Sequence, residues 1–120
     1  METQPSRLRF TDVGGITRVE FLDRNILDEA NINQIGEQIG DVIDQQTDPK
    51  ILISFENVDH LSSAALGTLI TLNTKVRAKD GKLRLANIDP QILEVFKITR
   101  LDRLFEIHDT TQEAMASFAG

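Results

Sequence analysis

The chain contains no cysteine, no tryptophan and no tyrosine. Without thiols there are no structural disulfides, no thiolate zinc sites and no cysteine nucleophile. A reducing cytoplasm is compatible with that composition, and the cytoplasm is the compartment expected here. With six phenylalanines as the whole aromatic set, a stacking platform for single-stranded nucleic acid is not expected. Basic residues are also in the minority, 13 Lys and Arg against 19 Asp and Glu, for a formal charge of −6. Such a chain repels nucleic-acid phosphates and anionic membranes, so neither is expected as a direct partner. No apolar run approaches the ~20 residues of a spanning helix, which argues against membrane insertion. Met1 to Arg9 lacks the apolar stretch of a signal peptide.

What is present is enough apolar residue, 40%, to bury a core within one domain of 120 residues. Residues 1–6 are polar and expected to fray, leaving a domain over 7–118. Arg7 to Val13 and Ile16 to Leu22, joined by Gly14-Gly15, read as an edge hairpin. Past Asp28, a helix cap, Ile32, Ile35, Ile39, Val42 and Ile43 mark one buried helical face, and Asp48-Pro49 ends that helix. Gly36 and Gly40 within it read as sites of close packing. Ile51 to Phe55 is a central strand apolar on both faces. A second helix runs from about Ser63 to Lys79 and stops at Asp80-Gly81. Leu83 to Ile88 is a strand. Asp89-Pro90 caps and opens a third helix. Arg100 to Arg103 is a polar bend, Leu104 to Ile107 a short strand, and Asp109-Thr110-Thr111 the start of a last helix. The order β-β-α-β-α-β-α-β-α predicts an α/β domain: a mixed sheet of about five strands with helices mainly on one face.

Chemistry concentrates at Asp59-His60-Leu61-Ser62-Ser63-Ala64-Ala65-Leu66-Gly67, where strand hands over to helix. A hydroxyl there caps the helix or, because open N–H groups and the dipole favour an anion, accepts a phosphate. Neither serine sits in a Gly-x-Ser-x-Gly elbow. His60 and His108 have no metal spacing around them and read as surface or loop residues. No Gly-rich loop ends in Lys-Ser/Thr for nucleotide phosphates. Hence no catalytic constellation, metal or cofactor is expected. Glu37, Asp41 and Asp44 read as a solvated helix face.

Three segments carry a resemblance. They are Ile51 to Val58 with Leu61-Ser62-Ser63-Ala64-Ala65-Leu66-Gly67, then Asp80-Gly81-Lys82-Leu83-Arg84-Leu85-Ala86-Asn87, and Val95 to Ile107. In that order and spacing the chain, from about residue 7 to 118, resembles the STAS family, the fold of bacterial anti-sigma-factor antagonists. The resemblance implies that a serine opening the second helix is phosphorylated by an anti-sigma factor that is also a serine kinase. The unmodified form would bind that kinase and free a sigma factor, and a serine phosphatase would restore it. Aligned on Leu66-Gly67, the acceptor is Ser63. Ser62 stands where the family usually has Asp, and Ala65 where it usually has Gly, which leaves Ser62 as a rival acceptor. The implied partner-binding surface comprises Asp28, Asp59, Ser62, Ser63, Ala64 and Gly67. The plainer readings are an N-cap for Asp28, a cap that positions Ser63 for Ser62, a cap or first-turn residue for Ser63 itself, and a solvated loop acid for Asp59. Two alternatives stand beside this one: a STAS subunit of a membrane transport complex that binds an ATPase, and a small hydrolase.

Overall fold

The computed structural model describes residues 8–119. Arg7 and the segment 1–6, expected to open the first strand and to fray, lie outside the described residues. The chain runs β1 (Leu8–Val13), β2 (Ile16–Phe21), β3 (Asn25–Ile26), α1 (Glu29–Asp44), β4 (Lys50–Ser54), β5 (His60–Leu61), α2 (Ser63–Ala78), β6 (Lys82–Ala86), α3 (Pro90–Ile98), a 3-10 turn (Leu101–Arg103), β7 (Glu106–His108) and α4 (Thr111–Ala119). The main sheet has the order β1-β2-β4-β6-β7. β1 is antiparallel to β2 and every other pair is parallel, so the sheet is mixed and five-stranded as expected.

Local chemistry explains the elements. The β1–β2 turn needs positive φ at two successive residues, and Gly14 (+59°) and Gly15 (+87°) supply it. In β4 the side chains alternate between two cores. Ile51 and Ile53 join Val19, Phe21, Leu83 and Leu85 beneath α1, α2 and α3. Leu52 faces the other way, with Ile16, Ala86 and the α4 residues Ala114 and Phe118. Three helices thus cover one face and α4 alone the other. The face of α1 is the predicted set Ile32, Ile35, Ile39 and Ile43, all buried, with Val42 partly so. At Gly36 an added Cβ would lie 3.1 Å from Thr68 Cγ2 of α2, the close approach foreseen for this glycine.

Several boundaries differ from expectation, each for a visible reason. α1 ends at Asp44, ahead of Asp48-Pro49, because another helix supplies its cap. Lys79 Nζ, from the end of α2, donates to the carbonyls of Ile43 (3.2 Å), Asp44 (2.8 Å) and Gln46 (2.7 Å). α2 closes in a Schellman arrangement, with Asp80 N–H donating to Arg77 O and Gly81 N–H to Val76 O. The left-handed residue is Asp80 (φ +58°), not the glycine. Gly81 is required instead by proximity: a Cβ there would run into the Pro49 carbonyl oxygen and ring. The bend at 100–103 is a 3-10 turn whose Leu101 packs on the core. Leu104 N–H and Phe105 N–H both donate to Leu101 O, so the last strand starts late, at Glu106. The two-residue strands β3 and β5 were not foreseen.

Candidate functional site

The site is assembled by β3 and β5. These segments precede α1 and α2, and they pair in parallel, Asn25 beside His60 and Ile26 beside Leu61. Main-chain bonds extend the pairing on both sides. Asp59 N–H (2.7 Å) and His60 N–H (3.1 Å) donate to Arg24 O, and Ser62 N–H donates to Ile26 O (3.1 Å). The first helix cap, Asp28, and the second, Ser62, therefore start from one clamp, and the two helices pack against each other along their length.

Within this frame the two serines differ. Ser62 is the N-cap of α2: its backbone is extended (φ −80°, ψ 164°) and its Oγ accepts from Ala65 N–H at 3.2 Å. It is half-buried. Ser63 is the first helical residue and is exposed, and among the described residues its hydroxyl has no hydrogen-bond partner. Ala64 beside it is exposed, and so is Gly67 one turn on, where an added Cβ would meet nothing within 4 Å. Ala65 and Leu66 turn inward and are buried. The N–H groups of Ser63 and Ala64 stand ahead of the first intrahelical bonds, which Ala65 and Leu66 make to Ser62 O. The helix start thus offers open donors and the positive end of the dipole beside an accessible hydroxyl.

Asp28 caps α1, its Oδ2 accepting from Asn31 N–H at 3.1 Å. Asn31 also donates through Nδ2 to Asp23 Oδ2 (3.0 Å). Asp59 is exposed and 3.6 Å from Arg24 Nε, an ion pair spanning the two loops of the clamp. So the fold gathers Asp28, Asp59, Ser62, Ser63 and Ala64 at one end of the helix pair, with Gly67 a turn further along. Among the described residues no group of three or more His, Asp or Glu converges to hold a metal ion. His60 lies on β5 and is exposed. His108 lies on β7, with Nε2 2.9 Å from Glu106 Oε2.

Sequence reasoning missed one feature of this end. A groove of about 320 Å³ runs between β5, the first turns of α2, and α3, floored by Leu61, Leu66 and Ile92 and walled by Leu27 and Val95. Leu27 could have been noticed, since it is a large apolar residue immediately before a helix cap and outside the period of the α1 face.

A family model for the STAS domain matches residues 18–114. BtrV of Bordetella bronchiseptica, named provisionally as an anti-sigma factor antagonist, is 23% identical over 95 residues, covering 79% of this chain and 81% of that protein. The TM1081 homolog of Thermotoga neapolitana, named in the same way, is 31% identical over 71 residues, 59% of this chain and 63% of its own length. Among solved structures, an anti-sigma-factor antagonist (STAS) domain protein from Planctomyces limnophilus superposes with a TM-score of 0.84 at 22% identity, covering 95% of this chain and 98% of that one. The Bacillus cell fate determinant SpoIIAA in its phosphorylated form gives 0.72 at 20% identity, covering 94% and 99%. With the family model matching most of its length and the same architecture in its neighbours, the chain belongs to the STAS domain family.

Proposed function

We propose that this chain is an anti-sigma-factor antagonist, switched by phosphorylation of Ser63. In this reading the unmodified protein binds an anti-sigma factor with serine-kinase activity and so liberates a sigma factor. The kinase modifies Ser63 and releases the antagonist, and a serine phosphatase resets it. The chain itself catalyses nothing and acts on transcription in the cytoplasm without touching DNA.

The observation that carries the reading is the division of labour between the two hydroxyls. Ser62 Oγ is committed to Ala65 N–H, whereas Ser63, at the next position, is exposed and its Oγ is unengaged among the described residues. Ser62 is half-buried with its Oγ held against Ala65 N–H, so presenting it to a kinase would first break the cap, at a cost of about 1 kcal/mol. A phosphate on Ser63 would add about −1.5 to −2 charges beside open N–H groups, an arrangement the free domain tolerates. At a docked interface the same group adds bulk and a charge that must be desolvated, so the switch acts locally rather than by refolding. The departure of Ser62 from the family's usual Asp fits this scheme, because Ser is an equally good N-cap.

The test is incubation with candidate anti-sigma kinases and ATP, followed by mass spectrometry. Ser63→Ala abolishes labelling and keeps binding, while Ser63→Asp weakens binding. Labelling that persists in Ser63→Ala and disappears in Ser62→Ala would transfer the role to Ser62.

A further inference from the structure

The main sheet ends in two edge strands, β1 and β7, and a sheet edge offers unpaired main-chain groups to another chain. The two edges differ. β7 has three residues, with the 3-10 turn packed beside it. β1 has six, paired with β2 residue for residue without a bulge, and it carries no proline or lysine. Among the described residues no strand lies outside it. Its two charges are drawn back into the hairpin and do not guard the edge. Arg9 Nη1 is 3.7 Å from Glu20 Oε1 on β2, and Asp12 Oδ1 accepts from Gly15 N–H at 3.2 Å in the turn. The helical layers also stop short of β1. Phe10, beside Val19 on the α1 side, is 37% exposed, and Val13, beside Ile16 on the α4 side, is 39% exposed. The pairing fixes which main-chain groups face outward. A two-residue loop makes its flanking pair, Val13 and Ile16, a hydrogen-bonded one. Alternation along the hairpin then turns the N–H and C=O of Phe10 and Asp12 away from β2.

We propose that β1 pairs antiparallel with β1 of a second copy, about a two-fold axis at Thr11, which joins the two main sheets into one. In that register Phe10 and Asp12 of each copy exchange main-chain bonds with Asp12 and Phe10 of the other. Thr11 meets Thr11 in a non-hydrogen-bonded pair, a favourable cross-strand combination, and Arg9 stands opposite Val13, whose apolar surface its aliphatic stem covers. Axes at Arg9 or at Asp12 would set like charges opposite each other. An axis at Phe10 would shift Val13 beyond Arg9 and leave it uncovered. An isologous contact requires only that a strand suit itself, and at Thr11 this one meets its own charges and apolar residues without conflict. One strand pair buries less than the ~1,600 Å² of a standard interface, and each copy carries a charge of −6, so the dimer is weak and is strengthened by salt. β1 takes no part in the β3–β5 clamp or the start of α2, so the dimer presents two exposed Ser63 hydroxyls. The inference therefore stands apart from the antagonist reading, and either can fail alone.

The test is sedimentation of the full chain from micromolar to millimolar concentration at low and high salt, with circular dichroism and urea midpoints as folding controls. Wild-type protein passes from monomer to dimer, and further so at high salt. Phe10→Lys places a charge on the edge, and Phe10→Pro removes an N–H that β2 does not use; each weakens association about tenfold or more. Ile98→Lys, which changes the charge equally at a 74% exposed position on α3, stays within about twofold. Thr11→Cys gives the chain its only thiol. Across the proposed axis the two Cα atoms lie about 4.5 Å apart, within disulfide reach, so mild oxidation links them, whereas Val13→Cys, displaced along the strand, stays unlinked. Should Phe10→Pro fail to fold, Phe10→Lys and the cysteine variants still decide. A wild-type chain that stays monomeric throughout overturns the inference. So does a dimer that Phe10→Lys leaves intact, or linking of Val13→Cys in place of Thr11→Cys.

Discussion

Replacing Lys79 by Met tests how the α1–α2 pair is held together. Met keeps most of the aliphatic stem and removes the ammonium group. Lys79 Nζ donates to three carbonyls at the end of α1, two of them in half-buried settings (Ile43 and Gln46) and one exposed (Asp44). A net hydrogen bond contributes about 1 kcal/mol. Water replaces the bond at the exposed carbonyl, so the two half-buried carbonyls dominate. The lost interaction of a cation with the negative end of the α1 dipole adds a few tenths of a kcal/mol. The expected loss is therefore about 2 kcal/mol in urea unfolding, or roughly 8 °C in Tm for a domain of this size. Lys75→Met is the internal control. Its ammonium pairs with Asp44 Oδ2 at 3.2 Å, but the two side chains are 39% and 56% exposed, so it should lose less than about 1 kcal/mol. High salt should erase most of the Lys75 effect and spare most of the Lys79 effect, since the latter acts on neutral acceptors. Equal losses for the two variants, or a loss below about 0.7 kcal/mol for Lys79→Met, would refute the view that α2 caps α1.

Two further stability predictions follow from the same geometry. Gly81→Ala should destabilise by about 1–3 kcal/mol because its methyl meets the Pro49 backbone, whereas Asp80→Gly should stabilise by up to ~1 kcal/mol by relieving a left-handed residue; urea midpoints with unchanged m-values check both. Ser62→Ala should lose about 1 kcal/mol of stability with the α2 cap, while Ser63→Ala should stay within about 0.5 kcal/mol, so paired thermal melts separate the capping serine from the free one.

The elements most legible in the sequence were those whose partners are solvent and core in general. The isoleucine spacing of α1, the apolar run of β4, Gly14-Gly15 and Asp89-Pro90 each encode their structure within a short window. The rest depended on particular residues far away in the chain. α1 stops where Lys79 reaches it, and nothing near Asp44 announces that. Gly81 reads as a helix terminator but is constrained by Pro49. β7 starts late because Leu101 holds the next residues in a tight turn. β3 and β5 are too short for a side-chain pattern and join through backbone bonds between loops more than thirty residues apart. At the candidate site, the residue types and helix start were readable from Ser62-Ser63 onward. The expectation that Ser62 caps the helix and positions Ser63 is met, with Ser62 Oγ accepting from Ala65 N–H. The groove was hidden for the same reason as the clamp, since Leu27, Leu66 and Val95 come from three separate segments.

The pairing of Asn25-Ile26 with His60-Leu61 is made of main-chain groups, which are the same whatever side chains the residues carry. Asn25 and His60 point outward and can change without moving the serine they help to place. A cell holding several such modules could therefore rewrite these loops to keep each one faithful to its own signalling line. The hydroxyl proposed here as the phosphate acceptor would stay at a constant address.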